Sequence, residues 1–485
     1  MNYIVVLNYI GNMMRIEGAA MLPGLLISLY KQEYRSAYAF FITIVFLAAF
    51  GSVLASLRAK QKEISHREGF AIVGVSWILL SLFGAFPLFL SGEEQLESYL
   101  DCFFEIASGF TTTGASILTE IEALPMGILY WRSFTHWLGG MGILVFMLAI
   151  MPSSGTGGSI KILRAESPGP IVGKLVPKMR NTAKILYMIY IALTVLEVIF
   201  LLCGGMPLFD SLLHTFGTAG TGGFSIKNDS IAAYNSAYVD GVIGVFMLLF
   251  GVNFNVYYLL LTRQFFKALT NREVLTYFGI VGASVGAITL NTLRYFGGLG
   301  KAFRYSFFQV ASIITTTGFA TSDFDKWPEF SRCLLVMLMV IGACAGSTGG
   351  GIKVARLIIL YKSMRNSVQK MLHPKSVKVI KMDGAVVDDR VVAEINAFLL
   401  LYVVIFLLSC LVVSLDNFNY DTTVTSVIAC LNNIGPGLGL VGPTGNYSML
   451  SDLSKLVLSA DMLLGRLEIF PLIMMFTPMM WKRSR

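Results

Sequence analysis

Charge is what this sequence has least of. Only 14% of its 485 residues are Asp, Glu, Lys or Arg, where soluble domains carry about 25%. A soluble enzyme so poor in charge would be hard to keep in solution. With 55% apolar residues and a mean hydropathy of +0.69, the chain reads as a polytopic membrane protein. Histidine is nearly absent: His66, His136, His214 and His373 are far apart and offer no ligand cluster. The six cysteines (Cys102, Cys203, Cys333, Cys344, Cys410, Cys430) are scattered without paired spacing. They read as packing residues, with no disulfide framework and no metal site. No nucleophile–base pair stands out in the apolar segments, so a membrane-embedded enzyme is only a remote alternative. A cleavable signal is not expected either. The N-terminus lacks a basic leader and a small-residue cleavage site, and its apolar stretch runs on towards Leu29.

The charge that is present is unevenly placed. A net charge of +8 could suggest nucleic acid, but the basic residues concentrate in 58–67, 161–184, 263–272, 353–390 and 482–485. The alternate loops are acidic or mixed, with Glu93, Glu94, Glu97 and Asp101, then Glu120 and Glu122, then Asp323, Asp325 and Glu329, then Asp416 and Asp421. By the positive-inside rule the basic set is cytoplasmic. The segments between face outward, and no nucleic-acid partner is expected.

Against this background one stretch recurs. FFEIASGFTTTG, Phe103 to Gly114, returns as FFQVASIITTTG, Phe307 to Gly318. Looser copies are LLHTFGTAGTGG around Gly222 and VIACLNNIGPGLG around Gly435. The spacing is roughly 100 residues, the mark of a repeat architecture. Each copy is a short apolar run of about 10 residues, which reaches only about half of a ~30 Å hydrocarbon core. A half-helix that stops there leaves carbonyls unpaired, and that is tolerated only beside a polar cavity. Its C-terminal end carries about half a negative charge. Four such ends around one axis would attract a cation, and rings of backbone carbonyls can replace the hydration shell of K⁺. The competing reading is close helix packing by small residues, but packing faces space them at four and these clusters are contiguous.

The expected fold is therefore all-α, with four membrane–pore-loop–membrane repeats around one pore and two extra N-terminal helices. The spans are placed at 3–30 and 37–57; then 69–92 and 126–151; 183–204 and 238–262; 274–294 and 330–360; 391–415 and 453–480. The corresponding units are 1–60, 61–160, 161–265, 266–365 and 366–485. The link with Lys31 and Arg35 fits an outer location poorly. All repeats run parallel, unlike the inverted repeats of many secondary transporters.

Two interruptions point to control of the passage. In IGACAGSTGGGIKVAR, residues 341–356, Gly346, Gly349, Gly350 and Gly351 should break the third return span. The broken backbone must face protein or water, which suits a mobile constriction at Gly346, Ser347, Thr348, Gly349, Gly350 and Gly351. A phosphate-binding loop is rejected, because the GxxxxGK[ST] spacing is missing. Arg466, mid-span in ADMLLGRLEIFPL, is costly at that depth and functional by default, with Asp461 and Glu468 as possible partners. His136 and His214 read as hydrogen-bonding residues rather than proton carriers.

At WRSFTHWLGGMGIL (131–144), GVNFNVYY (251–258), GSTGGGIK (346–353), GPGLG (435–439) and LLGRLEIFP (463–471) the chain resembles the TrkH branch of the Trk/Ktr/HKT potassium-transporter superfamily. The resemblance covers nearly the whole chain. It implies K⁺ uptake across a bacterial inner membrane, with a K⁺/H⁺ or K⁺/Na⁺ symporter as the alternative. It also implies a homodimer in the bilayer, gated by a cytoplasmic TrkA-like subunit that binds ATP/ADP or NAD. No cofactor is expected in this chain. K⁺ would be held by Thr112, Thr113, Gly114, Gly220, Thr221, Gly222, Thr316, Thr317, Gly318, Asn433, Ile434 and Gly435, with Gly114, Gly222, Gly318 and Gly435 as the filter glycines. The gate would be the loop 346–351, and Arg466 would obstruct the passage below the filter. Related sequences commonly carry Gln where this chain has His136. Sodium-permeable plant relatives have Ser in the first loop, so Gly in all four favours K⁺.

Overall fold

A computed structural model of the chain describes residues 1–57, 65–142, 179–374 and 379–481. The described part is helical almost throughout. Its named strands, β1 (Lys381–Met382) and β2 (Ala385–Val386), form one small antiparallel pair. Five described helices are long and apolar enough to cross a membrane. Their outer faces expose residues such as Val53, Ile199, Leu290 and Leu411, which a water-soluble fold would cover.

The N-terminal pair is α1 (Tyr3–Ala20), α2 (Leu22–Tyr30) and α3 (Tyr34–Ala55). The expected single span 3–30 is divided at Met21, just before Pro23 in the first turn of α2. Gly11 and Gly51 let α1 and α3 cross with their backbones in contact. The awkward link 31–35 has a job in the fold. Glu33 accepts hydrogen bonds from the free N–H groups of Met126 (2.8 Å) and Gly127 (3.2 Å) at the start of a later helix.

Four units follow. The first is α4 (His66–Gly84), α5 (Phe86–Leu90), the short α6 (Tyr99–Phe110) and the return helix α7 (Met126–Gly140). The second is α8 (Met179–Cys203), short α9 (Leu208–Gly220), and a return split into α10 (Ala237–Phe250) and α11 (Phe254–Leu261), followed by α12 (Phe265–Leu269). The third is α13 (Arg272–Phe296), short α14 (Leu299–Ile314), and a return split into α15 (Glu329–Val340) and α16 (Val354–Leu372). The fourth is α17 (Asp389–Val413), short α18 (Tyr420–Leu431), and a return made of α19 (Asp452–Arg466) and α20 (Phe470–Met475), with α21 (Pro478–Trp481) last. The expected unit boundary at 365/366 falls inside α16. Those at 60/61 and 160/161 lie outside the described residues.

The return spans differ from expectation in one respect. A break was expected only in the third, yet every return helix stops at the same stage. Helix α7 ends at Gly140 and the chain turns at Gly142 (φ +74°). Helices α10 and α11 meet at 89°, with Asn253 capping the second. The third break runs from Val340 to Val354, and the fourth turns through Glu468 (φ +53°) and Ile469 (φ +69°). Residues 143–151 of the first return span lie outside the described residues.

Candidate functional site: a closed ring of four loops

Each short helix ends in the same backbone figure. Thr112, Thr221, Thr316 and Asn433 take left-handed conformations at φ +56°, +54°, +58° and +57°. Such angles are uncommon without glycine and are held only where the surroundings impose them. The next residue of each loop, Thr113, Gly222, Thr317 or Ile434, donates its N–H back into its own helix. The acceptors are the carbonyls of Ser108, Gly217, Ser312 and Ala429, at 2.8–2.9 Å. A glycine with positive φ follows: Gly114 (+81°), Gly223 (+78°), Gly318 (+84°) and Gly435 (+94°).

These four glycines close a ring. A Cβ on Gly114 would strike the carbonyl oxygen of Gly222, and one on Gly223 that of Thr317. Likewise Gly318 backs onto the Ile434 carbonyl and Gly435 onto that of Thr113, each nearer than 3.0 Å. The order runs one, two, three, four and back to one. Glycine is needed here for both its dihedral and its bulk. All four ring glycines line a cavity of about 90 Å³ together with Ser116, Lys227 and Asn228.

The first two loops are braced from behind by a buried ion pair. Arg132 Nε lies 2.5 Å from Glu105 Oε1, with side chains 2% and 0% exposed. Glu105 also accepts from Ser116 Oγ and the Ile117 N–H, both at 3.0 Å, fixing the chain just past Gly114. Arg132 donates to the Ser225 carbonyl at 2.8 Å and lies over the Phe224 ring at 3.6 Å. Position 105 corresponds to His214 in the second unit, and His214 Nε2 meets Ser225 Oγ at 3.0 Å.

On the other side of the ring lies the broken third return span. Gly350 donates its N–H to Thr316 Oγ1 at 2.7 Å, and a Cβ there would strike the Asn432 carbonyl. The same loop bonds the break in the second unit: Cys344 N–H to Gly251 O (3.1 Å) and Phe254 N–H to Gly346 O (3.0 Å). Glu273, in the first turn of α13, accepts from the Ala345 N–H at 2.6 Å. Lys353 curls back to the carbonyls of Gly349 and Gly350. Arg466 then joins three units at once. It donates to Thr348 O (2.9 Å) in this loop and to the carbonyls of Gly139 and Gly140 (2.7 Å) at the end of α7. A cavity of about 140 Å³ among Gly140, Gly350, Arg466 and Glu468 remains beneath. Segment 341–353 thus contacts all four units, directly or through Arg466.

The TrkH family, described as cation transport protein, matches residues 36–285 and 298–483. The chain belongs to the TrkH family. It is 36% identical over 475 residues to the Trk system potassium uptake protein TrkH of Salmonella typhimurium, covering 96% of both chains. With the Trk system potassium uptake protein TrkG of Escherichia coli K12 it shares 33% identity, over 99% of this chain and 98% of the other. The crystal structure of the potassium transporter TrkH from Vibrio parahaemolyticus superposes with a TM-score of 0.88 at 32% identity, covering 99% of this chain and 100% of that one. The TrkH family is one of transport proteins, not enzymes, and the chain is a multi-pass membrane protein.

Within this TrkH-family chain the structure brings the expected residues together with one shift of register. Gly222 is in the second loop, but the counterpart of Gly114, Gly318 and Gly435 is Gly223; Gly222 is the counterpart of Thr113. The tripeptides Gly-Ala-Ser (114–116), Gly-Phe-Ser (223–225) and Gly-Phe-Ala (318–320) carried that signal. The acidic residues suggested as partners for Arg466 each have another partner. Glu468 pairs with Arg356, and Asp461 accepts from Ser409 Oγ at 2.9 Å. The Glu105–Arg132 brace was not anticipated, although each is a single charge in an apolar run of the same unit. Among the described residues no group of three or more His, Cys, Asp or Glu is placed to hold a metal ion.

Proposed function

We propose that the chain takes up K⁺ across a bacterial inner membrane, with the four-loop ring as its selectivity filter. The observation that carries this reading is the closure of the ring. Each filter glycine backs onto the carbonyl of the next unit, so four equivalent backbones encircle one passage. The carbonyls of residues 112–114, 221–223, 316–318 and 433–435 replace the water around a dehydrated K⁺. Four helix C-termini behind them supply negative potential. The printed names of the relatives, potassium uptake proteins of the Trk system, support the choice of ion. An inside-negative potential contributes about 2.3 kcal/mol per charge per 100 mV, which drives accumulation without chemistry in this chain.

In this reading segment Gly346–Gly351 is the gate, because it lies against the inner ends of loops three and four. Helix α16 begins directly after it and leads to Arg365 and Lys370 on the basic cytoplasmic face. Lys375 and Lys378, further along the same basic stretch 353–390, lie outside the described residues. A TrkA-like subunit carrying ATP/ADP or NAD docks on this face and moves the loop through α16. The working unit is a homodimer. The test is ⁸⁶Rb⁺ uptake into proteoliposomes under an inside-negative potential, with and without a TrkA-like subunit. Uptake competed by K⁺ and raised by the subunit is expected; uptake indifferent to K⁺ would reject the reading.

A further inference from the structure

We propose that His136 is a specificity-determining positioning residue of the filter. It takes over, for the second loop, the role that a pair of threonines plays in the first and third. The inference rests on the ring being the filter, and goes beyond it by assigning a side chain from outside the loops to filter geometry.

The starting point is what the second loop lacks. In loop one Thr111 and Thr113 hold each other through their hydroxyls at 2.8 Å, and in loop three Thr315 and Thr317 do the same at 2.8 Å. The structurally equivalent residues of loop two are Gly220 and Gly222, which have no side chain to pair. The space is not empty. A Cβ on Gly222 would fall on the imidazole of His136, and one on Gly220 on the His136 backbone carbonyl. His136, fully buried on α7, therefore fills the volume that the two threonines fill elsewhere.

The ring also supplies the polar contacts. Its Nε2 lies 3.1 Å from the backbone N–H of Phe224, and its Nδ1 lies 2.7 Å from the carbonyl of Gly109. The N–H can only donate, so Nε2 must be the bare nitrogen. The proton of the neutral ring then sits on Nδ1, where a carbonyl accepts it. Both nitrogens are used, in one tautomer.

The consequence for the filter follows from peptide geometry. Phe224 N–H and Gly223 C=O belong to one planar trans peptide, so they point in opposite directions. Holding the N–H against His136 turns the Gly223 carbonyl away from α7. Gly223 is the ring glycine of loop two, so His136 orients a ring carbonyl directly. The Phe224 ring is held as well, between the imidazole at 4.2 Å and the Arg132 guanidinium at 3.6 Å. Through Gly109 the same imidazole grips the last turn of α6. One side chain thus couples loops one and two.

The test compares ⁸⁶Rb⁺ and ²²Na⁺ uptake by the purified full chain in proteoliposomes. His136→Leu keeps most of the volume and removes both ring nitrogens. It should lower the Rb⁺/Na⁺ ratio by about tenfold, the scale of one lost hydrogen bond, while eluting as the parent does in gel filtration. His136→Gln restores one donor and one acceptor on a similar reach and should hold the ratio within about twofold of the parent. A folded His136→Leu with the parent ratio overturns the assignment. A His136→Gln variant that loses the ratio does so too, and this second variant decides if the first does not fold. Gly114→Ser runs alongside: an unchanged ratio there counts against the filter itself, whereas loss there with a normal His136→Leu counts against this inference alone.

Discussion

The backbone amide of Gly350 donates to the hydroxyl of Thr316 across 2.7 Å, so the loop beneath the ring is tied to the ring itself. If the loop is the proposed gate, withdrawing it breaks a bond to the third loop of the ring, and the two events are linked. Arg466 anchors the same loop from the opposite side through Thr348 O.

From this follows a graded pair of leak phenotypes. Deleting Gly346–Gly351 should give ⁸⁶Rb⁺ uptake without a TrkA-like subunit, because the obstruction is gone. Arg466→Ala should raise flux through pores that still close. It removes a repulsion of roughly 4 kcal/mol, for a cation at about 4 Å and an effective dielectric of 20, and leaves most of the loop's bonds in place. Arg466→Lys should fall between parent and Ala, since a point charge cannot span three carbonyls. A folded but silent deletion beside a freely leaking Arg466→Ala would reverse the two roles.

The Glu105–Arg132 pair should behave as a buried brace. Arg132→Met leaves a buried carboxylate uncompensated, at a cost of about 3–5 kcal/mol. Denaturant unfolding in detergent should show that loss, and Glu105→Gln added to Arg132→Met should recover part of it. Equal stability of the single and double variants would mean the two charges are not coupled.

Loop two separates the glycine positions. Gly223→Ala adds a Cβ against the Thr317 carbonyl at φ +78°, where any side chain is strained. Gly222→Ala instead meets the His136 imidazole. The first should lower K⁺/Na⁺ discrimination whatever residue stands at 136, while the second should cost discrimination only where the imidazole is present, so adding it to His136→Gly should cause no further loss. Flux ratios of Gly223→Ala, Gly222→Ala, His136→Gly and the Gly222→Ala, His136→Gly double check this.

Docking should depend on the basic cytoplasmic face. Neutralising Arg365, Lys370, Lys375 and Lys378 together should weaken co-purification with a TrkA-like subunit, and raised salt should weaken it further. Binding at full strength under both conditions would move the docking surface elsewhere.

Much of this site was legible in the chain because repetition is visible without knowing contacts. The Thr-Thr-Thr-Gly ends at Gly114 and Gly318 announced two loops, and Gly435 a third. The second loop was found one residue out of register, since its extra glycines answer to His136, a contact between segments far apart in sequence. Breaks in the return spans were read only where glycines cluster. The turns after Arg466 and Phe250 run through Glu468, Ile469, Gly251 and Asn253, and no local pattern marks Glu468 or Ile469 for positive φ. Their conformations are imposed by tertiary contacts such as the Arg356–Glu468 pair. The link at Lys31 and Arg35 looked misplaced because loop charge says nothing of Glu33 capping α7.

Reversal potentials separate a K⁺-selective pore from a symporter. The purified chain, held open by its partner or by deletion of Gly346–Gly351, is recorded across a bilayer with a K⁺ gradient while Na⁺ and proton gradients are imposed separately. Reversal is expected at the K⁺ equilibrium potential, unmoved by either second gradient. A shift towards the Na⁺ potential is expected in Gly114→Ser and Gly318→Ser. A parent potential that follows the proton or Na⁺ gradient would mark a symporter, and glycine variants that reverse where the parent does would contradict a filter built from these four loops.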